Sequence, residues 1–415
     1  MTAGDAPQTY GDWTEQFVRA MAVGGGHPDF VFRPTTLAKG SASREVGDSL
    51  VWAGRRMLVV SVKSRHPTKM GKDDPDRATS WLDKSVKKAC AQIDGTVRML
   101  LRPPASLVLV NERGIGIPWH QHLAAEYAGV VVINYTPPEG YVPAPNTSSV
   151  PCVCLHAADW RFLNSKLWSS SRLINYLMQR AQLPQLPLGS EKDLFAEIVE
   201  AEQLRKPFTF TGPLPQEGKW PEVAARFPEA DLGAHPDHKY VRIVDAMIAG
   251  MGEENPLYAT ARTPLDYMNM MQILDDIPPL ERVDLGKDVL ERTQKAGTTR
   301  VPVAGLWFPL EGRQHKLVVF LAYPGSRDAR IEEIQLRTAA RHRQLLETSG
   351  AVDLVTLGIA TEPYPNEGRS HDYVLIRGPM DPPADVRASM DSMYPMPEIH
   401  PDVLANFKQP SPKWA

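Results

Sequence analysis

Arg44-Glu45-Val46-Gly47-Asp48-Ser49-Leu50-Val51-Trp52 decides how the first half of the chain is read, together with the stretch that follows Ala53-Gly54-Arg55-Arg56: Met57-Leu58-Val59-Val60-Ser61-Val62-Lys63. Residues 49–52 and 57–62 are short, apolar and rich in β-branched side chains. The Gly-bearing segment between them predicts a hairpin. In an antiparallel pair the start of the first strand lies beside the end of the second, so Asp48 is expected to face Lys63. Ser61 and Lys63 are two residues apart and therefore share a face. A carboxylate held opposite an ammonium at one end of a hairpin is an economical site for phosphodiester hydrolysis. That reaction needs oxygen ligands for a divalent cation and a group that orients water.

Outward from the hairpin the pattern alternates between helix and strand. Residues 11–21 read as a helix and residues 29–32 as a short strand. Residues 80–101 form a long amphipathic helix with Leu82, Val86, Ala89, Ile93, Val97 and Leu100 on one side, stopped by Pro103-Pro104. Strands are expected at 107–110, 130–135 and 152–155, with the strand at 107–110 returning to the sheet. Helices continue to about Gln182. Proline punctuates residues 183–187, and this sets the first domain boundary. Residues 186–299 read as a mostly helical connecting region. Residues 300–390 read as an α+β domain with strands at 301–309, 316–323, 353–360 and 373–377 around a helix at 330–348, whose Arg337, Arg341 and Arg343 are expected to face solvent. Residues 391–415 read as an extended tail.

Charge sharpens the reading of the first 185 residues. The net charge of −3 rules out a basic molecule as a whole, so any polyanion surface must be local. Such a surface is available: no acidic residue occurs from Ser49 to Lys72, while Arg55, Arg56, Lys63, Arg65, Lys69 and Lys72 all fall there. Lys84, Lys88 and Gln92 are spaced by four and form one helical stripe opposite the apolar seam. A basic rim beside a carboxylate suits a polyanionic substrate, because phosphate contacts dominate affinity.

These residues resemble the PD-(D/E)XK nuclease superfamily, in which an Asp and an acid-x-Lys pair share a hairpin. Here Asp48 and Ser61-Val62-Lys63 carry the resemblance, joined by Glu45-x-x-Asp48-x-Leu50-Val51 and by Ala91-Gln92-Ile93-Asp94-Gly95 on the following helix. It is similar to a bacterial restriction-endonuclease-like group of standalone or defence-associated nucleases, and continues weakly through Asp159-Trp160-Arg161-Phe162 and Tyr176-Leu177. The resemblance implies a restriction-endonuclease-like three-layer α/β core over residues 1–185 and Mg²⁺- or Mn²⁺-dependent cleavage of nucleic acid, with DNA favoured over RNA, in restriction or anti-phage defence. It implies Asp48 as metal ligand, helped by Glu45 or Glu15; Lys63 and Gln92 about the attacking water; and Arg55, Arg56, Arg65, Lys84 and Lys88 along the nucleic-acid backbone. One departure stands out: Ser61 occupies the acid position, and a hydroxyl is a poorer Mg²⁺ ligand than a carboxylate. A nucleic-acid-binding or regulatory subunit on a nuclease fold is the alternative that this departure keeps open. Glu15 also has a purely structural reading, as the partner of Asp12 in a capping box.

Other patterns exclude more than they suggest. No apolar run approaches the ~20 residues needed to span a bilayer, and the first residues lack a signal peptide's basic-then-apolar order. Three cysteines exclude a disulfide scaffold and point to a reducing cytoplasm. Cys152-x-Cys154-x-His156 has no second ligand pair at zinc spacing. No Walker A loop, strand–GxGxxG–helix unit or HExxH helix occurs. The C-terminal half is expected to recognise substrate, or to dock a partner protein or a second copy of the chain, without an active site of its own.

Overall fold

The computed structural model describes residues 9–33, 36–39, 42–45, 47–66, 74–144, 148–204, 217–227, 236–253, 263–308, 315–351, 353–363, 371–380 and 382–395. The chain is mixed α/β and divides into two units at His235/Pro236.

The first unit opens with α1 (Tyr10–Gly25), β1 (Val31–Phe32), β2 (Thr36–Lys39) and β3 (Ala42–Glu45), followed by β4 (Ser49–Ala53) and β5 (Arg56–Ser64). After these come α2 (Pro75–Leu101), β6 (Val108–Val110), β7 (Gly116–Pro118), β8 (Glu126–Asn134) and β9 (Cys152–His156). Four helices close the unit: α3 (Ala157–Leu167), α4 (Ser170–Arg180), α5 (Glu191–Gln203) and α6 (Lys219–Arg226). The main sheet has the order β1-β4-β5-β8-β9, so the hairpin supplies its centre. β4 runs antiparallel to β5, while β8 and β9 run parallel to β5. Parallel neighbours require a crossover, and α2 provides it.

Two helical layers explain why β4 and β5 read as continuous apolar runs rather than alternating ones: both faces are covered. The face carrying Gly129 meets α2, where an added Cβ would strike Ile93. The opposite face meets α1, where Asn134 donates to Tyr10 Oη at 3.0 Å and to Thr14 Oγ1 at 3.4 Å. Trp160 of α3 donates to the Val18 carbonyl at 2.9 Å and ties the two helices of that layer together.

Several local expectations need correction. α2 begins at Pro75, not at residue 80, because Asp74 caps it by accepting from the Arg77 N–H at 2.9 Å and proline is tolerated at the first helical position. The capping box of α1 is formed by Thr9 and Asp12, so Glu15 is not part of it. The segment at 107–110 does not return to the main sheet: β6 pairs with β7 in a separate ribbon, and β8 is the strand that returns. Nor does the unit end at residues 183–187. Arg180 and Glu191 form a buried ion pair at 3.0 Å across that proline-rich turn, and Phe162, Phe195 and Trp220 pack edge-on. α5 and α6 thus complete the first unit, and proline there marks a turn between packed helices.

The second unit contains α7 (His238–Glu253), α8 (Pro264–Asp275), α9 (Pro279–Thr299), β10 (Val303–Trp307), β11 (Lys316–Ala322), α10 (Arg327–Ser349), β12 (Val355–Thr361), β13 (His371–Arg377) and α11 (Ala384–Met393). Its four strands form one sheet in the order β10-β11-β12-β13. β10 and β11 are antiparallel, β11 and β12 parallel through α10, and β12 and β13 antiparallel. Gly358 leaves room for Thr338 of α10, and Gly305 leaves room for Arg292 of α9. Gly350 ends α10 in the left-handed conformation, at φ 71°. The helices before residue 300 thus share a unit with the sheet instead of linking two domains.

The three arginines of α10 are not a solvent face. Arg341 is buried and donates to the Tyr394 carbonyl at 3.2 Å and the Pro395 carbonyl at 2.7 Å. Arg343 is buried and bridges Glu347 and Asp391, and Arg337 pairs with Glu333. They dock α11, so residues 391–393 end a helix and not an extended tail; residues 396–415 lie outside the described residues.

Candidate active site

The hairpin and α2 bring four of the expected site residues together, Asp48, Ser61 and Lys63 from the first and Gln92 from the second. The register Ser49↔Val60 sets Asp48 beside Ser61, and the Asp48 N–H donates to the Val60 carbonyl at 3.3 Å. Asp48 Oδ2 accepts from the Val62 N–H at 2.6 Å and from Ser61 Oγ at 3.1 Å. Ser61 Oγ also lies 3.4 Å from Gln92 Oε1, so its single proton has two acceptors and α2 is drawn into the site. Lys63 Nζ donates to Ser61 Oγ at 3.1 Å and to the Val62 carbonyl at 3.0 Å, and sits 3.9 Å from Asp48 Oδ2. Arg19 of α1 donates to the Asp48 carbonyl at 3.3 Å and pairs with Glu112 at 3.2 Å, which fixes the strand entry.

The electrostatics of Lys63 are those of a group under tension. Burial lowers its pKa, and the neighbouring Lys88 charge acts in the same direction; Asp48 and Glu15 oppose them. Glu15 and Lys88 therefore both act on the end of β5, one from each helical layer. Gln92, Lys84 and Lys88 are exposed on α2, and the Gln92 contact shows that this stripe overlooks the site. Of the remaining sequence candidates, Arg65 lies at the same end of the strand, with its guanidinium 5.8 Å from the Trp81 ring and 5.7 Å from the Tyr135 ring. Glu45 ends β3, paired in register with Thr36, and its side chain lies outside the described residues. Lys69 and Lys72 also lie outside them.

Arg55 and Arg56 are not part of this rim. They form the hairpin turn, at the other end of a strand that runs ~23 Å from Arg56 to Lys63 at ~3.3 Å per residue. Arg56 is already committed to Glu126 at 3.0 Å and to Asn175. Sequence proximity placed them near Lys63, but the extended strand carries them away.

A hydrated Mg²⁺ binds through one or two carboxylates and keeps several waters. Asp48 and Glu15 are the carboxylates at hand, and the Val62 carbonyl is a third oxygen. Among the described residues no group of three or more His, Cys, Asp and Glu side chains comes together, so waters would fill much of the shell. The zinc-like Cys152-x-Cys154 pair is buried in β9, and His156 caps α3 by accepting from the Ala158 N–H at 3.2 Å.

Sequence reading missed Arg19 and the ring series of α1. Tyr10, Trp13 and Phe17 recur at helical spacing beside the buried row Thr14, Val18 and Ala22, a signal that was available.

In comparisons with family models, curated proteins and solved structures, nothing matches the chain. No helix among the described residues is long and apolar enough to cross a membrane.

Proposed function

We propose that the first unit is a restriction-endonuclease-like nuclease core that hydrolyses phosphodiester bonds in nucleic acid, DNA above all, with restriction or anti-phage defence as its setting. The observation that carries this reading is the hydrogen-bonded cluster of Asp48, Ser61, Lys63 and Gln92 at one end of the central hairpin. The main sheet supports it too, because its hairpin is central, β8 runs parallel to β5 and helices cover both faces, which is the three-layer mixed arrangement the resemblance implies.

Each side chain has a task in this reading. Asp48, with Glu15, holds Mg²⁺ or Mn²⁺, which when bound polarises the scissile phosphate. Lys63 orients the attacking water and stabilises the developing phosphate charge; its two carbonyl and hydroxyl acceptors fix the ammonium before substrate arrives. Gln92 positions Ser61 or the water. Lys84 and Lys88 hold the nucleic-acid backbone as charges that carry no sequence information. The second unit recognises substrate or docks a partner protein or a second copy of the chain, and holds no active site.

Ser61 favours a second reading, a nucleic-acid-binding module on the same fold, because a hydroxyl stands where the resemblance expects a metal-binding acid. Incubating plasmid DNA with the protein and Mg²⁺ or Mn²⁺, with and without EDTA, separates the two. Nicking or linearisation that EDTA stops is the expected result. Retention of uncut plasmid in a gel shift, with every metal tried, would replace the nuclease by the binding module.

A further inference from the structure

The end of β5 does not stop at Lys63. Ser64 pairs in register with Asn134, and Asn134 donates to Tyr10 Oη at 3.0 Å, so Tyr10 sits at the same end of the sheet as the lysine. Two residues past Ser64, the His66 ring lies 5.4 Å from that of Tyr10. From Tyr10 the rings continue along α1: Trp13 stacks on Tyr10 at 5.8 Å and 20°, and Phe17 on Trp13 at 5.5 Å and 16°. Trp13 is 46% exposed, and His66 is exposed. Tyr10 and Phe17 flank the buried row Thr14, Val18 and Ala22 of α1, and Trp13 between them is left exposed by that packing.

The same strand end carries cationic charge. Arg65 lies against Trp81 and Tyr135, whose rings are 4.9 Å apart, and Lys84 and Lys88 follow Trp81 along α2. Aromatic rings with an exposed Trp13, at a strand end that also carries cationic side chains, are what unpaired bases on a phosphate backbone require. Every base has a π-face, and the backbone follows the positive charge. A duplex cannot use the rings, because its bases are already stacked on one another. An apolar protein partner would cover the rings but has no use for the lysines.

We propose that the ladder Phe17–Trp13–Tyr10–His66 is a base-stacking platform for single-stranded nucleic acid, leading the strand to the Lys63 site. The proposal rests on the nuclease reading only for what happens at Lys63; the platform binds whether or not the site cuts.

The test is fluorescence anisotropy of the full chain with a labelled oligothymidylate of about 20 nucleotides and with a duplex of equal length, in EDTA so that nothing is cleaved. Wild type is expected to bind the single strand about tenfold more tightly than the duplex. Trp13→Ala is expected to weaken single-strand binding about tenfold and Trp13→Phe to restore most of it, with duplex binding unchanged in both. Tryptophan emission gives a second readout: oligothymidylate quenches wild type, and Trp13→Phe loses that part of the quenching. Equal affinity for single strand and duplex, or quenching and affinity indifferent to Trp13, would overturn the platform. So would a Trp13→Ala effect confined to self-association in sedimentation. Single-strand binding without cleavage under any metal removes the nuclease and leaves the platform; cleavage with Trp13-independent binding does the reverse.

Discussion

The two units build the same arrangement and use it differently. In each, two antiparallel strands are followed by a helix that crosses over to a parallel strand: β4, β5, α2, β8 in the first, and β10, β11, α10, β12 in the second. In each, further helices cover the opposite face. The central strands diverge at their ends. β5 finishes Ser61-Val62-Lys63-Ser64, and β11 finishes Val319-Phe320-Leu321-Ala322; Asp48 precedes β4, and Pro302 precedes β10. The second unit spends its buried charge on closure. Arg330 meets Asp372 at 2.6 Å and Glu362 at 3.0 Å, and His342 bridges Thr356 and the Gly378 carbonyl at 2.8 Å each. The first unit leaves Lys63 with a lowered pKa between opposing neighbours. The first unit also closes on a buried pair, Arg180–Glu191, so what sets β5 apart from β11 is the polar cluster at its open end and not buried charge as such.

Asp48 is where the two units should differ most under mutation. Asp48→Ala is expected to abolish cleavage and to cost about 1–3 kcal/mol of stability, because the Val62 N–H loses its acceptor, while Asp48→Asn, whose amide oxygen can still accept from it, should abolish cleavage with the thermal transition nearly retained. Lys63→Ala is expected to lower turnover by about 10²–10³-fold, the worth of one preorganised donor. Leu321→Ala at the matching place in β11 should cost stability and no turnover per folded molecule, and a turnover loss there would end the division of labour.

Next in size is Asp372→Ala, which leaves the buried Arg330 with only part of its partnership. A stability loss of about 3 kcal/mol is expected, the low end for a broken buried pair because Glu362 remains. Denaturant titration reads it, and nuclease activity per folded molecule should not change.

A smaller effect separates the two ends of β5. Lys88→Ala should reduce the salt dependence of nucleic-acid binding by about one unit of slope, while Arg55→Ala at the far turn should leave it unchanged. Equal slopes for the two variants would put the basic rim back at the hairpin turn.

The smallest concerns pH. Asp159 is buried beside Glu191, and its carboxyl is pushed up to about 7 even though the Gly189 and His156 N–H groups hold it. The folded state binds that proton more tightly than the unfolded chain, whose Asp titrates near 3.9. The stability it contributes is therefore full below about pH 4 and is lost as pH rises through about 7. Asp159→Asn, whose amide oxygen still accepts from both N–H groups, should flatten the stability profile between those pH values. A profile as steep as wild type would assign the slope to another group.

Much of the first unit was legible because its signals are local. An apolar hairpin with a polar residue at each open end fixes the Asp48–Lys63 encounter whatever surrounds it, and the seam of α2 from Leu82 to Leu100 is spelled out over about five turns. The errors came where local signals compete with tertiary ones. Residues 107–110 read as a strand, which they are, but which sheet takes a strand depends on partners far along the chain. Proline at 183–187 marks a break in helix, and only the burial of Arg180 against Glu191 shows that packing crosses it. Arg341 and Arg343 look like a charged face until α11, more than forty residues on, supplies acceptors. Arg55 and Arg56 look close to Lys63 because a strand's length is not felt in a charge count.

If the end of β5 is the proposed cation-assisted hydrolytic site, with Ser61 in the place of an acid, Ser61→Glu should restore a carboxylate ligand there. Cleavage of plasmid and single-stranded DNA is measured against Mg²⁺ concentration for wild type and the variant, with thermal transitions recorded in EDTA and in Mg²⁺. The variant is expected to be less stable than wild type in EDTA, because two carboxylates face each other, to regain that stability in Mg²⁺, and to cut at least as fast at lower Mg²⁺. A variant that neither cuts nor responds to Mg²⁺, beside a wild type that cuts nothing and binds neither DNA nor RNA at low salt, would contradict the proposed site.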